Sequence, residues 1–191
     1  MALMGKRKKR AVAKTVVESA SLFRRAGAFA IDWYVGALVM ALPVSAIAMH
    51  LGRDIADQNI LFFEEQWGLI AGLLAVLFGV VYYAVVPLIT RGQTLGKRIC
   101  KLRVASKDGS EVSSLALLGR QVLGLMLVEG AAVGTSAVLW RVVCIVTGVD
   151  LSTFAMVVGT AAILASIAMA GFSAQHRALH DYAFGTVVLP A

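Results

Sequence analysis

The stretch that most constrains this chain is residues 26–51, AGAFAIDWYVGALVMALPVSAIAMHL, directly behind the pair Arg24-Arg25. Asp32 is its one fixed charge. About 20 apolar residues are enough to cross the hydrocarbon of a bilayer, so the run reads as a spanning helix. A carboxylate at the centre of such a helix costs at least about 2.5 kcal/mol on insertion scales. The fold therefore has to supply Asp32 with a partner, a hydrated cavity or a task.

The rest of the chain agrees with a lipid solvent. It is 59% hydrophobic and 15% charged, whereas soluble domains run to about 45–50% and about 25%. The pattern predicts an all-α integral membrane protein with about four transmembrane helices, at residues 26–49, 68–89, 130–149 and 152–172. An interfacial helix over 114–128 is expected as well, with Arg120 and Gln121 on its polar side. A span that starts at Leu117 is the alternative reading of this region. Residues 1–20 form a basic cytoplasmic segment ahead of a transmembrane domain over 21–191. Its apolar run exceeds the 7–15 residues of a signal core, so an anchor is expected in place of a cleaved signal. Within the loop 91–113, Ile99, Leu102 and Val104 favour strand and Lys107-Asp108-Gly109-Ser110 favours a turn, so a small cytoplasmic β-hairpin is expected.

The formal net charge of +7 is distributed as a topology signal. Eight Lys or Arg precede the first span, six crowd residues 91–107, and Arg177 follows the last span; Arg53 falls in an outer loop. This bias predicts a multi-pass protein of the cell (plasma) membrane with both termini in the cytoplasm. It also predicts contact with anionic lipid headgroups. No aromatic-basic surface accompanies the charge, so nucleic acid is not an expected partner. Cys100 and Cys144 are expected at different levels of the membrane and unpaired.

Arg25 lies seven residues before Asp32, on the same helical face and about 10 Å away along the axis. The carboxylate is either one half of an ion pair that locks the bundle, a proton- or cation-binding group, or a docking point for another chain. Arg120, Glu129 and Arg141 are the other charges within or beside spans. Snorkelling to headgroups explains Arg120, and Glu129 and Arg141, about 18 Å apart on a helix, seek separate partners. His176 and His180 have HxxxH spacing beside Asp181 without a third firm ligand, so no metal site is expected. No nucleophile–base set is visible and no cofactor is implied; the chain does not read as an enzyme.

Three stretches together resemble the RDD family of bacterial membrane proteins, named for an arginine at the start of the first span, an aspartate within it and a later aspartate. RRAGAFAID carries Arg25 and Asp32, TLGKRICKLRVASKDG matches the Gly-Lys-Arg loop, and HDYAFGTVVL carries Asp181 as the second aspartate. The resemblance runs from about residue 22 to the end, with no assignable motif in 130–170. It implies an RDD-type membrane domain in which Asp181 and the 94–105 loop share a cytoplasmic layer. Thr186-Val187-Val188-Leu189 reads as a strand, expected to pair with residues 101–105. Asp181 would anchor Lys97, Arg98 or Arg103, in a network reaching Arg25. Two functions follow. One is a non-enzymatic scaffold or accessory subunit, in a homo-oligomer or a larger complex. The other is a small ion-coupled transporter, because cation/proton antiport has been proposed for some members of the family.

Overall fold

The computed structural model describes residues 19–128 and 134–191. Three of the described helices are long and apolar enough to cross a membrane: α1, Leu22–His50; α2, Glu65–Ile89; and, later in the chain, Ser152–Phe172. At 1.5 Å per residue each reaches about 30 Å or more, the thickness of a bilayer core. Leu38, Leu42, Leu73, Leu77, Phe154, Val157 and Leu164 point outward from them. In water that surface would be a large apolar patch; in lipid it carries no such cost.

The inner faces are narrow. Over residues 65–80 of α2 the buried positions are Gly68, Ala71, Gly72, Ala75 and Gly79, small residues at helical spacing that let backbones approach closely where no hydrophobic effect drives association. Against them pack Met40, Val44, Ile47 and Ala48 of α1 and Val142. Pro43 sits inside α1 without ending it.

After α2 the chain makes a short helix, α3, Leu95–Ile99, and a strand, β1, Leu102–Ser106. Ile99 therefore belongs to a helix and not to the strand expected for it, because the backbone of Gly96 is drawn onto α1. Helix α4 begins at Ser114–Gly119, with the Ser113 hydroxyl accepting from the Ala116 N–H at 3.2 Å, and continues as a π-helical stretch, Arg120–Val128. Helix α5, Gly134–Thr147, covers part of the expected third span; 14 residues rise about 21 Å. Glu129 lies outside the described residues, as do residues 1–18. Helix α6 is the Ser152–Phe172 span, followed by α7, Leu179–Ala183, and β2, Thr186–Pro190.

The two strands are antiparallel, with Arg103 opposite Leu189 and Val104 opposite Val188. The turn at 107–110 forms, but the strand expected after it is reduced to one bridge, Ala105 to Glu111. Pairing with polar Ser110 and Glu111 would bury little, whereas Val187, Val188 and Leu189 are buried against β1 and its surroundings. Ala20 donates its N–H to the Val188 carbonyl at 3.0 Å, which ties the approach to α1 onto the same sheet. Cys100 and Cys144 are free thiols.

Candidate functional site

Asp32 is buried on α1, at 4% exposure, and its carboxylate is surrounded by donors from α2 and the α3 region. Tyr82 Oη donates to Oδ1 at 2.9 Å and the Gly96 N–H donates to the same oxygen at 2.8 Å. The Thr94 hydroxyl donates to Oδ2, and Lys97 Nζ stands 3.5 Å from Oδ2. Tyr83 Oη donates at 2.9 Å to the Asp32 carbonyl oxygen. Two neighbouring tyrosines can serve the same residue because α2 loosens into a π turn at Val81–Val85, a feature that commonly marks functional positions.

Glycine makes the approach possible at two points. A Cβ on Gly96 would strike the Ala28 carbonyl oxygen and lie 2.9 Å from the Asp32 carboxyl carbon. A Cβ on Gly36 would collide with the Tyr83 ring. Without these absences neither the amide nor the phenol could reach Asp32.

Asp181 is fully buried at the start of α7 and binds different partners. Arg25 Nη2 meets Oδ2 at 2.7 Å and Arg120 Nε meets Oδ1 at 2.9 Å. Thr186 Oγ1 donates to Oδ1 at 3.0 Å and the Ala178 N–H to Oδ2 at 3.2 Å. Arg120 Nη2 lies 2.8 Å from His180 Nε2; a guanidinium has no acceptor, so the imidazole nitrogen accepts. Burial raises the Asp181 pKa, but the charges of Arg120 and Arg25 outweigh it and hold the carboxyl well below the ordinary range. This carboxylate joins α1, α4, α7 and β2.

Several sequence expectations change here. Arg25 does not pair with Asp32: its guanidinium binds Asp181 and the His176 carbonyl oxygen, while Asp32 takes Lys97. Asp181 pairs with Arg25 and Arg120, and among the described residues it forms no ion pair with Lys97, Arg98 or Arg103. Arg98 is exposed on α3 and Arg103 half-buried on β1. Arg120 does not snorkel; it and Gln121 are buried, because Asp181 offers a closer partner than headgroups do. Arg141 donates to the Gln58 carbonyl at 3.4 Å. His176 lies in the turn between α6 and α7, so it shares no helical face with His180. Among the described residues no group of three His, Cys, Asp or Glu could hold a metal ion.

Sequence reasoning missed Tyr82, Tyr83 and Thr94. The available signal was the adjacent pair of phenols within an apolar run, since each buried hydroxyl needs an acceptor.

Lys97 closes the base of a cavity of about 500 Å³ between α1 and α6. Burial pulls its pKa below the ordinary lysine value, with Asp32 opposing the shift and Arg120 adding to it. Asp32, Arg25, Arg120 and His180 also border this space.

The match to the RDD family model extends over residues 19–185, taking in both Asp32 and Asp181. The chain belongs to the RDD family. It is also 26% identical to the uncharacterized protein YckC of Bacillus subtilis (strain 168) over 174 residues, which cover 91% of this chain and 85% of the relative. No solved structure matches it significantly. In this RDD protein the arginine that opens the first span reaches the second aspartate, and the first aspartate is served from elsewhere.

Proposed function

We propose that this RDD protein is a non-enzymatic scaffold or accessory subunit of the cell membrane, with Arg25, Asp32 and Asp181 as its framework. The observation that carries the reading is the saturation of Asp32. Two hydroxyls, one amide and one ammonium surround its two oxygens, which suits a carboxylate holding three chain segments together. A carboxylate that takes up and releases a cation needs open coordination positions. The same reading places four spans in the bilayer, with α5 as part of the third. Both termini and the sheet then lie on the cytoplasmic side, in keeping with the positive charge at that end.

A second reading has one observation in its favour: the cavity reaches both Asp32 and Lys97, a carboxylate–ammonium pair able to exchange a proton for a cation. Flux measurements on the full chain in liposomes separate the two. The scaffold reading expects no sodium- or proton-driven flux above empty vesicles, and a lower melting temperature for Asp32→Asn. Cation-dependent flux in the wild type that disappears in a well-folded Asp32→Asn protein would establish transport instead.

A further inference from the structure

The cavity between α1 and α6 has two chemically distinct halves. Its walls carry Phe29 and Trp33 from α1 and Ile163 and Ile167 from α6. Phe29, Trp33 and Ile167 are also among the exposed side chains, so the apolar half is continuous with the lipid-facing surface. Its polar base is formed by Arg25, Lys97 and Arg120 together with Asp32 and His180. Its volume of about 500 Å³ lies within the range of about 300–1,000 Å³ typical of small-molecule sites.

Charge at the base does not balance. Arg25 and Arg120 share Asp181, and Lys97 faces Asp32, so three cations meet two carboxylates. Lys97 is the least committed of the three. Its ammonium contacts Asp32 at 3.5 Å, longer than the usual 2.7–2.9 Å of a charge-assisted bond, and Thr94 Oγ1 at 3.1 Å. An ammonium has three donors, so one is left for an acceptor in the cavity. A buried charge without a paired counter-ion is costly, so the excess positive charge favours an anion. The apolar walls above it favour a hydrocarbon chain.

We propose that this cavity is a binding site for an anionic phospholipid, with the phosphate at Lys97 and one acyl chain between Phe29, Trp33, Ile163 and Ile167. The site goes beyond the scaffold reading and does not depend on whether Asp32 carries ions. A free phosphate would satisfy the base and leave the walls unused. An uncharged lipid would fill the walls and leave the excess charge unmet.

Native mass spectrometry of the full chain, stripped of lipid in detergent, tests the site by titration with dioleoyl phosphatidylglycerol and dioleoyl phosphatidylcholine. The expected result is a phosphatidylglycerol adduct at least about tenfold tighter, a difference well resolved on an affinity scale. Lys97→Gln should remove that preference, and inorganic phosphate should not displace the lipid. Ala170→Phe places a ring in the apolar half without touching the charges, and should remove the adduct at unchanged melting temperature. If Lys97→Gln fails to fold, Ala170→Phe decides alone. Equal binding of the two lipids would overturn the proposal. So would displacement by inorganic phosphate at matched concentration, or undiminished phosphatidylglycerol binding in either folded variant.

Discussion

Asp32 and Asp181 are both buried carboxylates on which several elements converge, yet they are solvated in opposite ways. Asp32, within a spanning helix, is held mainly by neutral donors, with one ammonium at 3.5 Å. Asp181, beyond the end of the last long helix, is held by two guanidinium groups at 2.7 and 2.9 Å. The difference follows from what each location can bring close. Two arginines can come to Asp181 because one starts α1 and the other lies in α4, both near the basic layer. Inside the helix pair, hydroxyls and a backbone amide carry no charge and so cost less to bury.

The contrast makes graded predictions. Asp181→Ala leaves Arg25 and Arg120 buried without a counter-charge, and breaking such a pair costs about 3–5 kcal/mol. The expected outcome is loss of monodisperse protein in detergent size-exclusion chromatography. Asp32→Asn keeps the shape and one acceptor oxygen while weakening bonds made to a charge, each worth about 1.5–3 kcal/mol. A folded protein with a clearly lower melting temperature is expected. If Asp32→Asn proved as damaging as Asp181→Ala, the two sites would not differ in the way described.

The tyrosines sharpen the comparison within the Asp32 site. Tyr82→Phe removes a donor from the carboxylate, and a cost of about 1.5–3 kcal/mol is expected. Tyr83→Phe removes a donor from a carbonyl and should cost about 0.5–1.5 kcal/mol. Equal shifts in denaturant midpoint for the two variants would show that the carboxylate charge adds nothing to the Tyr82 bond.

The smallest effects are those of pH. The folded-state pKa of Asp181 is lowered, so its stabilisation is complete above the unfolded value of about 3.9 and is lost as pH falls through the folded value. Between pH 5 and 7 it should contribute no slope. Lys97 is also lowered, but for a lysine that means the folded state disfavours the charged form. Stability should therefore rise as pH climbs from the folded value of Lys97 towards its unfolded value of about 10.4. Melting curves of the wild type and Lys97→Met at increasing pH below that unfolded value check the sign. The rise should vanish in the variant.

Much of the framework could be read before any partner was visible. Arg25, Asp32 and Asp181 stand out from their positions, and the β-branched run at 186–188 pairs with β1 as expected. The connections among the charges were less legible. A spacing of seven residues puts Arg25 and Asp32 on one helical face, but a long guanidinium reaches whichever carboxylate packs nearby, and α7 brings Asp181 within 2.7 Å. Ordinary helical periodicity separates Tyr82 from Tyr83 by about 100°; the π turn brings both to Asp32. Arg120 looked suited to headgroups because a sequence shows a basic residue at an interface and not the acid folded against it.

The sequence by itself determined the solvent of this protein, the end of the helices that carries the positive charge, and the segments able to form strands. Those properties are summed over many residues, so one misplaced group does not alter them. Tertiary structure alone decided which donor each buried carboxylate receives and placed Lys97 in the lining of the cavity. Hydrogen bonds act over about 3 Å, and whether two groups distant in the chain come that close depends on the packing of whole helices, down to the missing side chains of Gly36 and Gly96.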